Sequence, residues 1–157
     1  MASEEVSPDT LERARLQRAG LRQAIVDVEV ALATPAVGAR APVWVTEVGV
    51  ALDRLRGALA HHIDVTETAD GILDQIVQLA PRLAGPCDRL RHEHVELKGL
   101  LEGYIAVLDG APAVPDAGWV EDRRRETTNL LGRLATHRQQ GADLTYEAYG
   151  VDIGGET

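Results

Sequence analysis

Apolar positions along this chain recur at alternating intervals of three and four residues, the period of a helix that buries one face. Leu21, Ile25, Val28 and Leu32 form the first such stripe, within a helix expected over residues 8–34. Ser7-Pro8-Asp9 marks its start: a capping hydroxyl, a proline at the first helical position and a carboxylate near the positive end of the dipole. Pro35 to Pro42, around Gly38, reads as a connector. The second stripe, Val48, Leu52, Leu55, Leu59, His62 and Thr66, predicts a helix over 42–67, opened by Pro42-Val43-Trp44-Val45. Asp70-Gly71 then breaks or bends the chain, and Ile72 to Ala80 adds a short helical piece before Pro81 and Pro86. The most regular stripe, Cys87, Leu90, His94, Leu97, Leu101, Tyr104 and Leu108, predicts a helix over 86–109. After a loop holding Pro112 and Pro115, Thr127, Leu130, Leu134, His137, Gly141 and Leu144 define a last helix over 119–148, followed by a short Gly-rich tail.

Four amphipathic helices joined by short connectors predict an all-α, up-down-up-down four-helix bundle, a single domain over residues 1–157. A parallel α/β sheet would need Val/Ile-rich strands alternating with the helices, and the pattern has none. Composition agrees. Apolar residues make up 45% of the chain and aromatics 3%, with no Phe, so the core must be aliphatic. Interlocking helices accommodate that better than a β-sandwich.

Charge narrows the partners. A formal net charge of −9 opposes nucleic acid and anionic membranes alike. No stretch approaches the roughly 20 apolar residues of a membrane span. Cys87 is the only cysteine, so no internal disulfide forms, which fits a reducing compartment. The N-terminus, MASEEVSPDT, is acidic and lacks the apolar segment of a secretory signal, so a cytoplasmic location is expected.

The chemistry lies where the stripes are interrupted. His62, His94 and His137 occupy positions at which the pattern asks for an apolar residue, one on each of three helices. In an up-down bundle the end of the second helix, the start of the third and the end of the fourth share one end. Counted from those ends at about 1.5 Å per residue, the three rings lie roughly 6, 12 and 16 Å deep. An unsatisfied buried polar group costs about 1–3 kcal/mol. A shared metal ion would satisfy all three rings; three separate core histidines, each bonded to a carbonyl, a hydroxyl or water, are the competing arrangement. Carboxylates are scarcer. Thr66 and Gly141, each four residues after a histidine, cannot supply one. Glu67 lies five residues after His62, where unwinding near Asp70-Gly71 would turn it inward. Glu29 on the first helix is read as solvated surface charge. His61 and His92 should be exposed, Cys87 a small core residue, and Arg123-Arg124-Arg125 a solvated face paired with nearby acids. Tyr104, Tyr146 and Tyr149 should pack at bundle ends, with Tyr104 the nearest phenol to any metal.

The segments HHIDVTETADGILDQI, APRLAGPCDRLRHEHVEL and LLGRLATHRQQGADLTYEAYGVDIGGET together resemble the bacterial hemerythrin-like domain, also called the HHE cation-binding domain. The resemblance extends from about Leu21 to the C-terminus and is most specific at Glu93-His94, at His137 and in the tail. It implies a four-helix bundle that binds non-haem iron and serves oxygen binding, oxygen or redox sensing, or iron handling. Matched residue by residue, it assigns His62, Glu67, His94 and His137 as metal ligands. The first-helix ligand of the family falls near Ile25, a second third-helix histidine at Leu90 and the fourth-helix acid near Gly141, none of which ligates. One ion, a weakened pair, zinc in place of iron, or no metal all fit such a set, and a small diatomic such as O2 is the implied ligand. The alternative is a metal-free helical module that binds a protein or small ligand. A metal-dependent enzyme is a third reading for which the sequence names no substrate.

Overall fold

A computed structural model describes residues 8–154. Four long helices dominate it: α1 (Pro8–Leu32), α2 (Arg40–Glu67), α4 (Ala84–Asp109) and α5 (Ala117–Gly154), with a short α3 (Ile72–Leu79) and a 3-10 turn (Pro81–Leu83) between α2 and α4. No strand occurs among the described residues. The long helices meet as a ring in chain order, α1 on α2, α2 on α4, α4 on α5 and α5 back on α1, with the diagonal backbones held further apart. The α1/α5 seam is the sparsest of the four. No helix among the described residues is long and apolar enough to cross a membrane.

The core follows the stripes. Leu21, Val28, Val48, Leu52, Leu55, Leu59, Leu97, Leu101, Leu130 and Leu134 form one largely aliphatic cluster along the barrel, with Trp44 as its aromatic member. Trp44 is fully buried, and its indole N–H donates to Leu32 O at 3.3 Å, tying the start of α2 to the end of α1. Arg124 lies over the same indole at 5.4 Å and donates to Thr34 O, so it does more than the solvated face expected of its arginine run. Arg123 stacks on Trp119 and pairs with Glu126, and Arg125 pairs with Asp122.

A second cluster, Ile72, Leu73, Ile76, Ala80, Leu83, Cys87, Leu90 and Ala148, closes the opposite end. It exists because α3 folds back under the bundle, and the turn that allows this is tight. Asp70 adopts a left-handed conformation (φ 60°), and its N–H is held by Asp74 Oδ2 at 3.2 Å. Gly71 sits so close to the end of α2 that a Cβ there would lie 2.8 Å from Thr68 O and 2.9 Å from Val65 O.

The elements depart from the sequence expectation mainly at their ends. The Ser7 cap and the last three residues lie outside the described residues. Helix α5 does not stop at residue 148 but runs to Gly154, because Ala148 is buried in the second cluster and Tyr149 packs against it. Of the tyrosines placed at bundle ends, Tyr149 fits. Tyr146 is 81% exposed, since it falls on the outer face of the overrunning helix. Tyr104 packs on the main aliphatic cluster.

Candidate metal centre

The stripe that buries leucines along the barrel buries imidazoles at its α3 end. His62 lies three residues after Leu59 and His94 three before Leu97, so each ring enters the same interior that those leucines fill. His137 does the same three residues after Leu134 on α5. All three are nearly inaccessible, at 6%, 2% and 3% exposure. Their ring centroids are 5.2 Å (His62–His94), 5.7 Å (His62–His137) and 4.7 Å (His94–His137) apart. One nitrogen from each ring lies within 4.8 Å of the others, and among the described residues this group is placed to hold a metal ion. The depth estimates scattered because the helix ends are not flush: α5 overruns its neighbours and α3 occupies the space beneath α2.

Two carboxylates orient two of the rings. Glu67, the last residue of α2, places Oε1 2.8 Å from His94 Nδ1. Glu93 of α4 places Oε2 2.8 Å from His137 Nδ1. A carboxylate acceptor puts the ring proton on Nδ1, so the Nε2 of each neutral ring keeps its lone pair. Glu67 therefore reaches the centre through His94 rather than beside it. The sequence marks Glu93 only as half of a Glu-His pair; one residue before His94, it lies on the flank of the same helix, within reach of α5. That offset of about 100° around the helix was the available signal. The third ring differs. His62 Nδ1 is buried with no hydrogen-bond partner.

The rings enclose a cavity of about 30 Å³. Besides the rings, its lining comprises the apolar Ile72, Leu73, Ile76 and Leu90, the small or hydroxyl-bearing Thr66, Gly141 and Thr145, and Arg18 of α1 with Arg138 of α5. Thr66 Oγ1 donates to His62 O at 2.8 Å, so its hydroxyl is already engaged. Leu90 and Gly141 do occupy the cavity wall, at positions the family resemblance gave to ligands. Ile25 does not: it belongs to the aliphatic cluster, and the first helix presents Arg18 instead, two turns nearer the α3 end. Tyr104 is ten residues along α4 from His94, about 15 Å away in a straight helix, so it is no neighbour of the rings. Glu29, His61 and His92 are exposed, and Cys87 is fully buried, as expected.

Electrostatics disfavour a charge on two of the rings. Burial pushes the His62 pKa down to about 3, helped by repulsion from His94, His137, Arg18 and Arg138. His94 is also lowered by burial, against the opposing pull of its hydrogen bond to Glu67. Neutral imidazole is the form that ligates metal, so protons compete weakly for these two rings at neutral pH. Burial likewise raises the Cys87 thiol, which marks it as packing rather than as a nucleophile.

No protein-family model, curated protein or solved structure matches this chain.

Proposed function

We propose that this chain is a hemerythrin-like metal-binding protein in which His62, His94 and His137 hold a single non-haem iron, with zinc the competing ion, for oxygen or redox sensing or iron handling. The observation that supports this most directly is the unpartnered, buried Nδ1 of His62 within a set of three rings, two of them oriented by carboxylates. Three neutral nitrogens suit Fe(II) or Zn(II). Among the described residues no carboxylate lines the cavity to bridge a second ion, which favours one ion over two. When bound, the metal would supply an open coordination position for water or a small diatomic such as O2. This chain's own residues do the rest. Glu67 and Glu93 fix the tautomer and direction of the rings of His94 and His137, and Ile72, Leu73, Ile76 and Leu90 keep bulk water out.

Elemental analysis of protein expressed in iron- and zinc-supplemented medium tests the reading. About one equivalent of either metal, lost in His94→Ala, is expected; two equivalents would overturn the single-ion form, and none would overturn the whole. A second reading, a metal-free module that binds a protein or small ligand, draws on Leu90 and Gly141 standing where ligands would be. It requires that replacing all three histidines leave the melting temperature unchanged with or without chelator.

A further inference from the structure

The sparse seam between α1 and α5 opens into a cleft of about 590 Å³, separate from the histidine cavity but adjoining it. Arg15, Arg18, Arg22 and Arg138 line it. None of these four makes an ion pair among the described residues, whereas nine other arginines do. The two acids nearest the cleft in sequence, Asp27 and Asp143, accept from the cleft-lining amides of Gln23 and Gln139 rather than from an arginine. Arg18 and Arg138 are half-buried, and the Arg138 Nε is buried without a hydrogen-bond partner.

In a chain of net charge −9, four guanidinium groups without an ion pair among the described residues stand on one seam and repel one another. Spacings of three and four residues along α1 put Arg15, Arg18 and Arg22 on one face, and Arg138 meets them from α5. Guanidinium forks match the oxygens of phosphate and carboxylate two at a time. The cleft has the volume of a small-molecule site. A long polyanion such as nucleic acid would be repelled by the rest of the molecule, which a small anion would not feel to the same extent.

We propose that the α1/α5 cleft binds a small phosphorylated compound through Arg15, Arg18, Arg22 and Arg138, next to the histidine centre and sharing Arg18 and Arg138 with it. This site does not depend on a metal being held by the histidines.

Calorimetric titration of chelator-treated protein with inorganic pyrophosphate, at fixed ionic strength, tests it, so that failure of the metal reading would leave the result intact. Saturable binding of one equivalent is expected. Arg22→Gln should weaken it about tenfold, the loss of a charge-assisted contact, and Arg15→Gln with Arg22→Gln should weaken it further. Both residues are exposed, so the folded state should tolerate the changes, which circular dichroism would verify. Arg54→Gln, on the exposed surface of α2, should leave the affinity unchanged. Absence of saturable heat at millimolar pyrophosphate would overturn the proposal. So would equal weakening by Arg54→Gln, which would mean diffuse attraction rather than a site.

Discussion

Acid should unfold the metal-free protein through His62. In the unfolded chain this imidazole takes up a proton near its ordinary pKa of 6.5, whereas in the folded chain burial and the facing cations hold it to about 3. The unfolded state therefore binds the extra proton between those two values, and stability is lost as pH falls through that window. Each unit of separation is worth about 1.4 kcal/mol, so His62 alone should remove about 2.5 kcal/mol between about pH 7 and pH 4.5, approaching about 5 kcal/mol at lower pH. Against a total of roughly 5–15 kcal/mol for a domain, that is a large share. His94, also lowered by burial, acts in the same direction.

Surface carboxylates titrate over part of the same range, so the measurement must be a difference. Urea denaturation of chelator-treated wild type and His62→Leu, at several pH values from neutral down to about 4.5, isolates the His62 contribution. The wild-type curve should fall more steeply, with the gap between the two changing by about 2.5 kcal/mol across the range. His62→Gln provides a second comparison should leucine disturb the packing. Parallel curves would refute the reasoning, because they would mean that the His62 ring is protonated in the folded state or is not buried.

Glu93→Gln and Glu67→Gln keep the size of the side chain but remove the charge that holds a ring nitrogen. Each should reduce metal affinity by about 10- to 100-fold with the fold retained, measured by competition with a chromophoric chelator. Unchanged affinity in both would show that the carboxylates do not orient the ligands. Gly71→Ala forces a methyl group against backbone oxygens of the α2 end, which cannot move aside as a side chain would. It should destabilise the protein by about 1–3 kcal/mol, read from the urea midpoint, and a shift well below that would mean that the α2–α3 turn is looser than described.

The helices were legible because their apolar stripes are regular, and the three histidines because each broke a stripe at a core position. Convergence of the rings does not follow from helix lengths. Depth measured from helix ends assumes flush ends, and neither the overrun of α5 nor the folding back of α3 follows from periodicity alone. Glu67 is not turned inward by unwinding near Asp70-Gly71, since α2 stays helical through it; it reaches His94 on another helix, 27 residues away. Glu93 and His137 are 44 residues apart, and such pairs depend on the relative rotation of two helices, which no single stripe encodes. The same limit explains the first helix. Alignment by family spacing pointed to Ile25, while packing brings Arg18 to the cavity.

The arginine that the first helix brings to the cavity sets the charge balance of the proposed centre. On the α2 and α4 side, Glu67 and Glu93 carry two negative charges behind the rings of His94 and His137, matching the charge of one divalent ion. On the α1 and α5 side, Arg18 and Arg138 face the cavity edge with no carboxylate between them, and their repulsion is part of what keeps His62 neutral. A second metal ion placed toward that edge would meet two guanidinium groups instead of a bridging acid. An anion there would relieve them. A single cation among the three rings and a small anion in the adjoining cleft, the occupancy we propose, would each reduce the electrostatic cost of the other's surroundings.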